Sequence, residues 1–287
     1  MIIFDSTKKN HSIRNSKGNQ EKIVINDVWY KLDYLGFESA SEEFVSTLLK
    51  KSNISFFVDY QMDDISWNGK IFKCCKSNNF VPTQCDLITL DDILVSEFGF
   101  QYNKKIENLS TEDKIKIIVD TVKNKTGLSY FGKYLTILSE LDAFILNEDR
   151  HFQNITFFKD IHGNYSYAPI FDNGAAFCSD LTMDYDLQTP LQKCINKVKA
   201  KPFSNNFQKQ VSILESFYGK QLQIEKENTL LEDVLKRIEE RYSKQIATRI
   251  KLIYFLQQQK YPDICVEKIN RRINFLNNQD ITIYERE

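Results

Sequence analysis

The spacing of hydrophobic positions changes period within the first third of the chain. Up to about residue 80 the pattern mostly alternates. Ile23-Val24-Ile25 and Val28-Trp29-Tyr30-Lys31-Leu32 flank Asn26-Asp27, a two-residue linker that suits a β-hairpin. Phe56-Phe57-Val58-Asp59-Tyr60 and Lys70-Ile71-Phe72-Lys73-Cys74-Cys75 read as two more strands. Between the pairs, Phe44, Val45, Leu48 and Leu49 form one face of a helix over 41–51. Ser41 is its expected cap, with Glu42 and Glu43 in the first turn, where the helix dipole favours them. From about residue 85 helical spacing takes over. The pattern predicts helices over 90–98, from Ser110-Thr111-Glu112-Asp113 to Gly127, and over 130–146, the last strongly apolar and central. After residue 185 nearly everything reads as helix, including 207–217, 230–246, 248–258 and 262–275. The expected fold class is α+β and bilobal. A small β-rich lobe with one helix covers 1–80, and a larger, mainly helical lobe covers 81–287, the two joined near 76–82.

One polar stretch interrupts the helical half. Asn147-Glu148-Asp149-Arg150-His151-Phe152-Gln153-Asn154 follows the apolar Leu141, Phe144, Ile145 and Leu146; Phe171-Asp172-Asn173-Gly174 follows Pro169 and Ile170. Between them, Ile155-Thr156-Phe157-Phe158 and Tyr165-Ser166-Tyr167-Ala168 flank a glycine-bearing turn, so a hairpin returns the chain to its starting point. Asp149 and Asp172 are therefore expected close together. One carboxylate to orient and deprotonate a hydroxyl, with an amide and a second carboxylate to hold a metal between phosphates, is the layout of phosphoryl transfer. The bland alternative is a pair of solvated acidic turns, although core-forming flanks favour a rigidly supported site.

Lys31 lies inside an apolar strand, and a strand lysine is most often a solvent-face residue. The helix that follows brings Glu42 or Glu43, carboxylates able to hold an ammonium against phosphates. Upstream, residues 12–20 form a polar loop in which Ser16, Gly18 and Asn19 are candidate phosphate contacts, Gly18 permitting close backbone approach. With a single glycine, it reads equally well as an ordinary hairpin loop.

Composition narrows the classes without choosing one. Of the 287 residues, 42% are hydrophobic and 27% charged, with a formal net charge of −1, so the balance favours neither nucleic acid nor membrane. No apolar run approaches the ~20 residues of a membrane span. Met1 to Phe4 is too short for a signal peptide. Six cysteines without a C-x-x-C pair argue against a zinc site or disulfide framework and fit a reducing cytosol, with export by a non-Sec route left open.

Together, Lys31, the helix with Glu42, Asp149-Arg150-His151-x-x-Asn154 and Phe171-Asp172-Asn173-Gly174 resemble the HipA-like branch of the protein-kinase superfamily, more distantly the phosphatidylinositol kinases. Lys31-Leu32-Asp33-Tyr34-Leu35-Gly36-Phe37-Glu38 resembles its short stand-alone, CtkA-like bacterial members. The resemblance spans nearly the whole chain in element order. It implies a serine/threonine protein kinase that uses ATP and Mg²⁺. Asp149 would be the catalytic base, Asn154 and Asp172 the metal ligands, and Lys31 the phosphate contact with Glu42 as partner, Glu43 and Glu38 remaining alternatives. His151 would brace the loop, and Arg150 would meet a carboxylate or a phosphorylated residue. Adenine would lie in the hinge around Lys76, Asn79 and Phe80. Autophosphorylation in the polar loop, at Ser12 or Ser16, would repel ATP.

Two departures stand out. Longer toxin members carry an N-terminal subdomain that contacts an antitoxin, whereas about 30 residues precede Lys31 here. The expectation is a stand-alone kinase core, or one with a separately encoded antitoxin-like regulator, acting on a protein substrate without membrane or direct DNA contact. Asn173 replaces the phenylalanine of ordinary kinases, leaving the metal-binding Asp172 in place. Lys193, Lys197, Lys199, Lys201 and Lys209 form a run without acidic residues, read as a solvated face or a surface for an acidic segment or RNA. Rival readings are a lipid kinase, an inactive kinase-like module and a metal-dependent nuclease; the last would need more ligands than the three histidines offer.

Overall fold

The structure, a computed structural model, describes residues 2–4, 11–14, 20–226, 229–274 and 284–285. Its N-terminal part is built on β1 (Ile2–Ile3), β2 (His11–Arg14), β3 (Lys22–Ile25), β4 (Val28–Leu32), α1 (Glu38–Lys50), β5 (Gln61–Trp67) and β6 (Lys70–Asn78). The strands form one six-stranded sheet in the order β1-β5-β6-β4-β3-β2, so Lys31 lies on an interior strand. Asn26 and Asp27 both adopt positive φ, 51° and 66°, the conformation a two-residue hairpin turn requires, and they fix the pairing of Ile25 with Val28.

Counting back along that ladder puts Lys22 directly opposite Lys31, which in turn faces Cys75 on β6. Alternation then separates two faces. Phe4, Ile23, Ile25, Tyr30, Leu32, Ile65 and Cys74 bury one face. Lys22, Lys31 and Cys75 occupy the other, towards α1 and the rest of the molecule.

The segment 56–60 is not the expected strand. Its ladder stops at a single bridge, where Val58 N donates to Ile170 O at 2.9 Å and Ile170 N to Phe56 O at 3.0 Å. The regular strand begins one residue later, at Gln61. The helix likewise starts at Glu38, three residues before its expected cap. Ser41 is buried within α1 and donates to Ala176 O at 3.2 Å, while the Glu38 carboxylate accepts from Leu35 N and Gly36 N at 2.7 and 3.1 Å. Glu42 and Glu43 therefore sit in the second turn. The chain before α1 hugs Ser179: a Cβ on Gly36 would lie 1.9 Å from Ser179 O, so only glycine fits.

A second sheet of three strands, β7 (Cys85–Thr89), β8 (Thr156–Asp160) and β9 (Tyr165–Tyr167), contains the hairpin expected between the polar loops. Helices α2 (Leu90–Phe98), α3 (Tyr102–Ile106), α4 (Thr111–Thr126), α5 (Phe131–Ile145), α6 (Leu191–Lys197), α7 (Phe207–Tyr218), α8 (Thr229–Arg241) and α9 (Lys244–Lys260) make up the rest of the core, with two-residue strands β10 (Ile224–Glu225), β11 (Cys265–Val266), β12 (Arg271–Arg272) and β13 (Tyr284–Glu285). Ser110 caps α4 and Gly127 ends it at φ 76°. The expected helix over 262–275 is a correction: residues 262–274 form turns and the short strands β11 and β12, because Ile224 N and Lys226 N donate to the carbonyls of Ile264 and Val266, and residue 275 lies outside the described residues. The break near 242 also falls earlier than the periodicity suggests, where Ser243 caps α9. Helix α5 is buried almost end to end, and α1 is buried all round between the first sheet and α8. One cluster runs from Phe37, just before α1, and Phe44 on α1 through Phe131, Leu138 and Phe144 on α5 to Ile250 and Tyr254 on α9. The result is an α+β molecule, with a curled sheet in its N-terminal part and helices in its C-terminal part. No helix among the described residues is long and apolar enough to cross a membrane.

Candidate active site

The hairpin brings the two polar loops together, and a buried arginine binds them. Arg150 is 1% exposed. Its Nη2 donates to Asp142 Oδ1 at 3.0 Å and Asn173 Oδ1 at 2.6 Å, and its Nη1 to Phe171 O at 2.7 Å and Asn154 O at 3.4 Å. Burial works against the guanidinium charge, but Asp142 more than offsets it and raises the Arg150 pKa. Of the two partners foreseen for Arg150, the carboxylate is the one present. Asn173, standing where a phenylalanine was expected by resemblance, is the polar acceptor that this arginine needs. Asn147, fully buried, donates from Nδ2 to Asp142 Oδ1 at 2.8 Å and accepts from Asp149 N at 3.2 Å, completing the support under the loop.

Asp172 has φ 61°, a left-handed conformation unusual outside glycine. Both flanking peptides are pinned: Phe171 O by Arg150, and Asn173 N by Glu42 Oε2 at 3.0 Å. The strain, of order 1–3 kcal/mol, is sustained by those bonds. It points the carboxylate at the first sheet. There Lys31, 4% exposed, donates to Asp172 Oδ1 and to Glu42 Oε1, each at 2.5 Å. Glu42 is thus the partner. Glu43 instead binds Arg237 and Met62 N, and Glu38 caps the approach to α1. Burial alone would lower the Lys31 pKa; Asp172 and Glu42 outweigh it and hold it well above the ordinary lysine range. Burial likewise favours a neutral Asp172, yet Lys31 and then Lys22 reverse this and hold its carboxyl below the usual range. Tyr60 covers the ammonium, its ring centroid 5.2 Å from Nζ.

Lys22 belongs to this cluster and escaped the sequence reading. Burial lowers its pKa, with repulsion from Lys31 adding to the effect and Asp172 opposing it. A two-residue turn at 26–27 and strand alternation were enough to find it.

Asp149 is half exposed. Lys201 Nζ lies 3.0 Å from its Oδ1, and His151 Nε2 is 3.6 Å from its Oδ2. Asn154 Nδ2 donates to Asp149 O at 2.9 Å. Among the described residues no donor reaches Asn154 Oδ1, so one amide oxygen and the Asp172 carboxylate are the hard oxygen ligands on offer. No group of three or more His, Cys, Asp or Glu residues forms a metal cage among the described residues. The donor set fits a cation such as Mg²⁺, which takes one or two protein oxygens and leaves other positions to phosphates and water.

The hinge candidates scatter. Phe80 packs against Phe171 at 5.4 Å and joins Val58, Tyr60 and Cys75 beside Lys31. Lys76 pairs with Tyr30 in register, on the opposite face of the sheet, where its ammonium binds Asp63 at 2.8 Å; alternation turns its side chain away from Lys31. Asn79 Nδ2 donates to Asp27 Oδ1 at 3.0 Å, out at the β3–β4 turn. Ser16, Gly18 and Asn19 lie outside the described residues, and of Ser12 only the backbone on β2 is described. A cavity of about 560 Å³ lies elsewhere, between α8 and α9, lined by Leu231, Leu235, Tyr254 and Phe255 and by no residue of this cluster.

A buried strand lysine thus bridges a helix glutamate and a loop aspartate where the first sheet meets the helical part. The structure of the proinflammatory kinase CtkA from Helicobacter pylori matches with a TM-score of 0.58 over 92% of this chain and 96% of that one, at 15% identity. The chain has that kinase's fold. The HipA, HipB and operator DNA complex from Shewanella oneidensis MR-1 matches at a TM-score of 0.42 and 13% identity, over 91% of this chain and 63% of that one, too distant to carry an argument. No family model and no curated protein matches the chain.

Proposed function

We propose that this chain is an ATP-dependent serine/threonine protein kinase of the HipA-like family. The observation that carries the reading is the Lys31 ammonium shared between Glu42 and Asp172, while Arg150 ties the Asp172 segment to the loop of Asp149 and Asn154. Lys31 would bind the α- or β-phosphate, with Glu42 holding its position; Lys22, beside it on the ladder, adds positive charge. Asn154 and Asp172 would hold Mg²⁺, which neutralises charge between the phosphates when bound. The adenine would rest against Phe80 and its neighbours. Asp149 orients the acceptor hydroxyl and accepts its proton, its exposure leaving room for a protein segment. His151 would steady Asp149 from the side opposite Lys201. A separately encoded antitoxin-like regulator belongs to this family reading.

The test is transfer from γ-labelled Mg·ATP to a proteome extract, wild type beside Asp172→Ala and Asp149→Ala. Label should appear on protein, on serine or threonine, with wild type alone. Loss of at least about 10³-fold is expected for either variant, each removing a group that acts on the transferred phosphoryl or its acceptor. Unlabelled protein, together with no thermal shift on adding Mg·ATP, sinks the reading; label on lipid alone shifts it to the lipid-kinase alternative.

A further inference from the structure

We infer that Lys201 is the cation facing the transferring phosphoryl group, delivered to Asp149 by the α6–α7 connection; the inference rests on the phosphotransferase reading above. Lys201 is distant in sequence from both polar loops, yet its Nζ lies 3.0 Å from Asp149 Oδ1. The turn carrying it is held from two directions. Gln210, buried on α7, accepts from Phe203 N and Ser204 N at 3.0 and 3.3 Å, and its Nε2 donates to Lys201 O at 3.0 Å and Ser139 Oγ at 3.2 Å. Ser139 belongs to α5, the helix that leads into the Asp149 loop. Phe203 meets Phe152, inside that loop, edge-on at 5.9 Å. The backbone of Lys201 is thus fixed to the two elements that set Asp149.

Its neighbours in the basic run behave differently. Lys197 pairs with Asp184. Lys193, Lys199 and Lys209 are exposed, and among the described residues their side chains have no ion pair. The run is therefore mostly a solvated face, and Lys201 is the member that turns to the site.

During transfer, the acceptor oxygen bonds to the γ-phosphorus as the bond from that phosphorus to the β–γ bridging oxygen breaks. The bridging oxygen leaves with the electron pair, and the acceptor proton passes to Asp149. Lys201 keeps its protons and donates hydrogen bonds to the non-bridging oxygens over which charge spreads. An acceptor oxygen bonded to Asp149 sits about 3 Å from it and about 3–3.5 Å from the phosphorus. A cation already on Asp149 reaches the same oxygens. Lys31 grips the nucleotide before reaction, whereas Lys201 acts where the phosphoryl travels, so its loss falls on kcat rather than on KM for ATP.

Wild type, K201M, K201R and K193M are compared in steady-state transfer from γ-labelled Mg·ATP, and in thermal shift with Mg·ADP, with and without aluminium fluoride as a planar phosphoryl mimic. K201M should lower kcat about 100-fold with KM for ATP within about threefold, K201R should restore part of it, and K193M should match wild type. The extra shift from aluminium fluoride should vanish in K201M while the Mg·ADP shift stays. A K201M enzyme with unchanged kcat, or a faster one whose lysine merely shields Asp149, overturns the inference while wild-type transfer keeps the kinase reading intact. If the wild type itself neither transfers phosphate nor responds to Mg·ATP, both fall together.

Discussion

The candidate site holds two lysine–aspartate contacts, and they are built in opposite ways. The Lys31 side chain is 6% exposed and its Glu42 partner fully buried, with a second carboxylate and a backbone N–H completing the cluster. Lys201 and Asp149 are 49% and 48% exposed and meet through one hydrogen bond. Burial makes the first cluster a fixed structural unit, in which removing one charge strands the others away from water. Solvent makes the second adjustable and cheap to break. The buried contact is fixed, and the exposed one is left loose.

The contrast can be broken hardest at Arg150. R150M leaves Asp142 buried without its partner and frees the Asp149 and Asp172 segments from each other, so unfolding free energy in urea should fall by about 4 kcal/mol. A fall under about 1 kcal/mol would mean that Asp142 is already neutral in the fold. K31M should cost about 3 kcal/mol by the same logic, and the double variant K31M/E42L should recover part of it, a coupling readable in a double-mutant cycle.

A smaller, pH-dependent effect lies just outside the cluster. Burial raises the Asp33 pKa from 3.8 to about 6, against the hydrogen bonds from Ser39 and Tyr242. The folded carboxyl therefore holds its proton more tightly than the unfolded one. Its stability contribution is full below about pH 4 and is lost as pH rises to about 6, roughly 1 kcal/mol after allowing for partial solvent access. Thermal melts across that window should flatten in D33N. Smallest is K201M, expected to change stability by less than about 1 kcal/mol; a larger loss would place Lys201 with the structural cluster instead.

Much of this was legible locally. Asn26-Asp27 marks its own hairpin, Ser110 and Gly127 bracket α4, and the spacing from Asp149 to Asn154 and across the 156–167 hairpin to Asp172 forecasts their convergence, because turn chemistry and strand alternation act over a few residues. The failures share one cause. Residues 56–60 have strand composition but only one bridge, 262–275 has helical spacing but gives its carbonyls to β10, and Ser41 looks like a cap but lies inside α1. In each case a partner remote in sequence decided the outcome.

The chain by itself determined the order of elements and the set of polar residues, since periodicity, capping and motif spacing are properties of neighbouring residues. Tertiary structure alone decided that Glu42 rather than Glu43 or Glu38 meets Lys31, that Asp142 takes Arg150, that Lys76 faces away, and that Lys201 reaches Asp149. Those pairings depend on register and on helices packing across the core, which bring into contact charges far apart along the chain.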